Sequence, residues 1–389
     1  MPDYDPVKFV SGLSAKLATR SRHVCLFLGA GVARACNLPD VAELQTRVLH
    51  QLEEEEKKLF AALLEGRNLE QVLSRLRLIA ALNAGSQTID SMTSDTAAAL
   101  DGSVCRAIVN ELHLSGAELA PVRALAAWTA RADYRLPLEL FTVNYDLLLE
   151  TALEELGVPY FDGFVGALQA RFRTELVEAT PNALDEWVPA FFVRLWKLHG
   201  SVNWAWTGDQ NIVRLGQPVA EGQAAAIYPS DTKYEESRRV PFVVLHDRFR
   251  RAMNQQETLV LISGYSFSDA HLNEVIFDAA VRHERCEFIA LCHSSIPSVL
   301  AQQAMAVPNI QVAGGHEAIL SGVRGNWKAP EEAPPDLWAD DQLALRDFRN
   351  LAAYLSRSVT READWKADSS ETTTLNRSSE EVGGSAPDA

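Results

Sequence analysis

The stretch Phe141-Thr142-Val143-Asn144-Tyr145-Asp146 ends an apolar run that begins at Leu138, and it passes from buried-strand residues into polar ones. The same pattern recurs where Phe191 to Leu198 runs into Lys197-Leu198-His199-Gly200-Ser201. Upstream, Val24-Cys25-Leu26-Phe27-Leu28 leads into the turn Gly29-Ala30-Gly31, and downstream Thr258 to Ile262 leads into Ser263-Gly264-Tyr265-Ser266-Phe267-Ser268-Asp269. Apolar runs without polar alternation suit a parallel sheet covered on both faces. Glycine turns and polar side chains at the carboxyl ends of such strands predict a nucleotide pocket along that edge.

The rest of the chain is read outward from these strands. Helical spacing covers Val7 to Leu17, Val41 to Leu52, Glu53 to Leu82, Val104 to Leu112 and Ala117 to Ala130. In the third of these, Leu69, Val72, Leu73, Leu76 and Ile79 form one face. Asn83 to Gly102 is polar and rich in small residues, and reads as a mobile loop or a weak helix. Residues 41–135 are thus expected as a helical insertion between the first and second sheet strands. Further strands are expected at Phe242 to Leu245, Thr258 to Ile262 and Glu287 to Leu291. The expected class is α/β, a mostly parallel sheet with helices on both faces. The expected organisation is an N-terminal helix in 1–20, the α/β domain in 21–315, a C-terminal helical region in 316–366 with a helix from Asp340 to Leu355, and a disordered acidic tail in 367–389.

Composition excludes several classes. The 52 acidic residues outnumber the 36 Lys and Arg, giving a net charge of −16 that suits no direct grip on nucleic acid. Cys25, Cys36, Cys105, Cys286 and Cys292 contain no C-x-x-C pair, so neither a disulfide framework nor a zinc site is expected, and a reducing cytoplasm is the natural compartment. The start of the chain has no apolar signal region and no run approaches the roughly 20 apolar residues of a membrane span.

The candidate residues each have a structural alternative. Gly29, Ala30 and Gly31 can face a phosphate or simply form a tight turn. Asn144 and Asp146 can hydrogen-bond a ribose, or cap the helix that follows. His199, at a strand end, is a group able to accept a proton near pH 7 if its imidazole is neutral. Gly264 lets backbone approach a ligand, Ser266 and Asp269 add hydrogen bonds, and Asp269 can equally cap a helix from Ala270 to Val281.

Taken in order, Gly29-Ala30-Gly31 with Leu38-Pro39-Asp40, Thr142-Val143-Asn144-Tyr145-Asp146, Lys197-Leu198-His199-Gly200-Ser201 and Gly264-Tyr265-Ser266-Phe267-Ser268-Asp269 resemble the bacterial sirtuin-like NADases of antiphage defence, over residues 20 to 315. The resemblance implies a Rossmann-like domain that takes NAD as its substrate and splits it into nicotinamide and ADP-ribose without a metal. It implies Asn144 and His199 as catalytic residues, with Asp146 supporting the ribose or its loop. It places Gly29, Ala30 and Gly31 at the pyrophosphate, Asp40 toward the nicotinamide, and Gly264, Ser266 and Asp269 on the adenosine side. It also implies a homo-oligomer, partnership with a HerA-like hexameric ATPase, and abortive infection as the outcome. Two departures stand out. Ala33 replaces the usual Ser or Thr, and the four-cysteine zinc module of deacetylating sirtuins has no counterpart. Transfer of ADP-ribose, deacylation, or non-catalytic sensing of NAD or ADP-ribose are the alternatives.

Overall fold

The structure is a computed structural model that describes residues 2–82, 88–179, 193–207, 211–220, 225–227 and 240–358. Its centre is a ten-stranded sheet. The strands lie in the order Asp3–Tyr4, Val323–Trp327, Glu317–Leu320, Ile310–Ala313, Glu287–Leu291, Thr258–Ser263, His23–Leu28, Glu139–Thr142, Val193–Lys197 and Tyr160–Phe161. Pairing is parallel except on either side of Glu317–Leu320.

Alternation within single strands shows why the sheet is covered twice. Val24, Leu26 and Leu28 face one core, shared with the helices Pro6–Leu17, Ala120–Arg131, Leu148–Glu155 and Phe348–Ser358. Cys25 and Phe27 face the other, shared with Phe242–Met253, Ala270–Arg282 and Ser298–Ala306. A strand buried on both faces has no use for polar alternation, which is why these runs are continuously apolar.

The order of strands reverses at His23–Leu28: the next strand in sequence, Glu139–Thr142, lies on one side and Thr258–Ser263 on the other. In open parallel sheets such a reversal leaves a crevice at the carboxyl ends, where ligands bind. After Lys197 the chain turns through Leu198 and His199 and enters a second, five-stranded sheet at Gly200–Trp206, with Gly200 at a φ of 87°.

The insertion is smaller than expected. The helices Val41–Gln51, Glu54–Leu64, Leu69–Leu82 and Ser94–Glu111 share a core built on Leu44, Phe60, Val72, Leu76, Leu100 and Ile108. That core continues into Tyr145 and into Val202, Ala205 and Val213 of the second sheet. The helix Ala120–Arg131 instead packs its Val122, Leu125 and Trp128 into the main domain.

Other expectations fail locally. Phe242 to Leu245 opens a helix, Phe242–Met253, because Phe242, Leu245, Phe249 and Met253 recur at helical spacing beyond the apolar run. Asp340 and Asp341 occupy a left-handed turn, with φ of 50° and 58°, between two short strands, so the last helix starts only at Phe348. Within 316–366 the expected helical region opens with a β-hairpin, Glu317–Leu320 and Val323–Trp327. The segment Asn83 to Gly102 contains the start of a firm helix, whose Thr93 Oγ1 accepts the Thr96 N–H. The tail 367–389 lies outside the described residues. No helix among the described residues is long and apolar enough to cross a membrane.

Candidate active site

Three loops meet at the reversal point. Gly29 donates its N–H to the Ser263 carbonyl at 3.0 Å and Gly31 donates to the Gly264 carbonyl at 2.9 Å. The contact is so close that a Cβ on Gly31 would sit 2.6 Å from the Gly264 Cα, and Gly264 itself has a φ of 68°. These glycines therefore lock two loops together, and the N–H groups of Gly29 and Gly31 are committed to that contact. Asn144, half-buried, joins the third loop: its Nδ2 donates to the Gly29 carbonyl at 3.1 Å.

The loop 144–146 is held from beneath by Lys197, which is only 3% exposed. Its ammonium donates to the Tyr145 carbonyl at 3.3 Å, to the Asp146 carbonyl, to Ser201 Oγ at 2.9 Å and to Glu150 at 2.9 Å. Asp146 Oδ1 accepts the Leu148 N–H at 3.0 Å just before the helix Leu148–Glu155, and burial raises the pKa of its carboxyl group against the pull of Lys197. Asp40 likewise caps its own helix through the N–H groups of Ala42 and Glu43 and pairs with Arg34. The exposed Ser266 shares a hydrogen bond with Ser268 at 2.8 Å.

His199 is 2% exposed and sits between two acids. Nδ1 lies 3.4 Å from Glu70 Oε1 and Nε2 lies 3.4 Å from Asp269 Oδ2. Both are ion-pair distances without good hydrogen-bond geometry. The Asp269 carboxylate also caps the helix Ala270–Arg282, so Asp269 faces the imidazole and the helix end together. Burial by itself would depress the imidazole, but Glu70 and then Asp269 outweigh it and raise His199 to about 9. Near pH 7 the protonated ring is therefore favoured, whereas accepting a proton requires the neutral one. Beside it, burial and the His199 charge push His246 down to about 4.

Glu70 and Lys197 are the residues that sequence reasoning missed. Lys197 was visible only as part of a motif. Glu70 looks like any acid in a first helical turn, favoured there by the helix dipole, and nothing local marks it.

His23, Cys25 and Glu139 lie close enough together to suggest a metal. Their contacts point elsewhere. Glu139 accepts from His23 at 2.8 Å, from Trp196 at 2.6 Å and from both nitrogens of the Arg248 fork, which holds its carboxyl far below the usual range despite full burial. A carboxylate saturated by a guanidinium is a poor cation ligand, and the cluster fits a structural ion pair.

Residues 138–296 match the SIR2-like domain. The match spans less than half of the chain, yet it includes Asn144, Lys197, His199, Gly264 and Asp269. It agrees with the doubly wound sheet in marking a Rossmann-like, sirtuin-like fold, and it points to an enzyme family that uses NAD. No curated protein matches the chain.

Proposed function

We propose that this protein is an NAD hydrolase that breaks the bond between nicotinamide and ribose, releasing nicotinamide and ADP-ribose. The observation that carries this reading is the surrounding of His199: two acids at the carboxyl edge of the sheet, beside the Asn144 loop, make a spot that favours positive charge. The sugar becomes positively charged as nicotinamide departs, so the same field stabilises the reacting centre. Asn144, fixed to Gly29, orients the ribose and the attacking water. His199, once it has given up its own proton, takes one from that water or from a ribose hydroxyl. NAD supplies the chemistry of a leaving group that is already cationic.

Hydrolysis is the simplest outcome of such a site, since water is the acceptor that needs no further binding surface. A sensor without turnover would have no need of an ionisable group pressed between two acids. Incubation of the purified chain with NAD, with quantification of nicotinamide and ADP-ribose in equal amounts, tests the reading.

Continuous cleavage would drain a cell of NAD, so the activity belongs under control. We infer a role in antiphage defence by abortive infection, in the cytoplasm, with low activity in the isolated chain. Activity then rises through homo-oligomer formation and a partner of the HerA-like hexameric ATPase class. The net charge of −16 supports nucleic-acid sensing through the partner and not through this surface. Sedimentation coupled to a turnover assay tests it, and a fully active monomer indifferent to any partner would refute it.

A further inference from the structure

One side chain of the site comes from outside the SIR2-like match, which begins at residue 138. Glu70 is the second residue of the helix Leu69–Leu82, and that helix is anchored by the buried Leu69, Val72, Leu73 and Leu76 in the core of the insertion. An acid in a first helical turn normally points to water. Glu70 has only 23% of its side chain exposed. Its Oε1 accepts the Tyr145 hydroxyl at 2.9 Å and approaches Nδ1 of His199 at 3.4 Å. The imidazole is therefore gripped by acids from two separate layers, Asp269 from the main domain and Glu70 from the insertion.

We propose that Glu70 is the positioning residue for His199, fixing the ring from the insertion side so that the seating of the insertion on Tyr145 sets the rate of turnover. This rests on the reading of His199 as the residue that handles the proton in NAD cleavage. Glu70 acts through the ring, its charge 3.4 Å from Nδ1 helping to hold the proton there.

Each element packed around the ring contributes to its charge. Glu70 comes from the insertion, Asp269 from the start of the helix Ala270–Arg282, and the Tyr145 hydroxyl from the strand-end loop, where burial and then Glu70 keep it protonated. His246, from the helix Phe242–Met253, is held neutral by burial and by His199, with His271 adding to the same effect. Loss of the Glu70 charge leaves Asp269 as the acid at the ring, and the proton on His199 then becomes easier to remove.

The test compares the full-length chain with Glu70→Gln and Glu70→Asp. Nuclear magnetic resonance of carbon-labelled histidine, assigned with His199→Ala, follows the ring from about pH 6 to about pH 10, and kcat/KM for NAD is measured over the same range. Glu70→Gln is expected to lower the titration point of His199 by at least about one pH unit, the least effect of removing an adjacent opposite charge. The inflection of kcat/KM should move with it. Glu70→Asp, which keeps the charge but withdraws it by one methylene, should fall between Gln and the natural residue, and this graded order carries the test even if the Gln variant folds poorly. Unchanged titration of His199 in either folded variant overturns the proposal, as does a uniform loss of activity with no movement of the pH profile. Should the natural chain leave NAD intact at every protein concentration and with every partner, the hydrolase reading fails, while the titration still decides whether Glu70 governs the ring.

Discussion

Asp269 Oδ2 lies 3.4 Å from His199 Nε2 while Oδ1 of the same carboxylate accepts the N–H groups of His271 and Leu272. A cap and a site contact, which the sequence presents as alternatives, coexist in one side chain because its two oxygens point in different directions. Asn caps a helix about as well as Asp, whereas Ala costs about 0.5–2 kcal/mol. Asp269→Asn should therefore keep the cap but lower the titration point of His199, and Asp269→Ala should lose both. Chemical denaturation alongside histidine titration separates them, and equal destabilisation by the two variants would contradict this division.

The raised value of His199 fixes the sign of two pH effects. Its folded value of about 9 lies above the ordinary 6.5, so protonation stabilises the fold below 6.5 and that contribution fades as pH rises through about 9. The stability difference between the natural chain and His199→Gln should be largest near the acid end of this window and smallest above it. For catalysis the direction is opposite. At pH 7 the protonated ring predominates, because Glu70 and Asp269 raise its value to about 9. In consequence kcat/KM, which reports the free enzyme, should climb with pH and level off near 9. A flat profile between about pH 6 and pH 9 would count against a proton-accepting His199.

The four strand ends were legible in the sequence because a strand buried on both faces leaves an unbroken apolar run, and the first polar or glycine residue after it marks the sheet edge. Asn144, His199, Gly264 and Asp269 all follow such runs. Their detailed roles were not legible, since capping and ligand contact use the same residue types. Glu70 was beyond reach: it comes to His199 through the packing of the insertion on Tyr145, and no local pattern in Leu69 to Leu82 encodes that docking. The helix at Phe242 looks like a strand in sequence for the reverse reason, as four contiguous apolar residues hide the helical spacing that only Phe249 and Met253 complete.

Gly31→Ala should loosen the site from below. Its Cβ would meet the Gly264 Cα at 2.6 Å, a backbone atom that can yield only if the two loops part. A loss of about 1–3 kcal/mol is expected from such overpacking. Gly12→Ala is the internal control, since nothing lies within 4 Å of the added atom in the helix Pro6–Leu17. That change should stabilise by about 0.5–1 kcal/mol. Thermal denaturation of both variants checks the contrast.

Lys197→Met should release the loop that carries Asn144 and Tyr145. The substitution leaves Glu150 without its buried cation and strands the carbonyls of Tyr145 and Asp146. Breaking a buried pair in this way costs about 3–5 kcal/mol. Urea denaturation measures it, and a change below about 1 kcal/mol would show that Lys197 does not hold the loop.

The central claim is that the Asn144 and His199 strand ends cleave NAD, and a time course of NAD consumption by the purified full-length chain near pH 9 tests it most directly. Nicotinamide and ADP-ribose should appear in equal amounts, with the rate falling by about 10²–10⁴ in folded His199→Ala and Asn144→Ala. NAD that stays intact at every protein concentration and with every partner, or folded variants that turn it over as fast as the natural chain, would contradict the account.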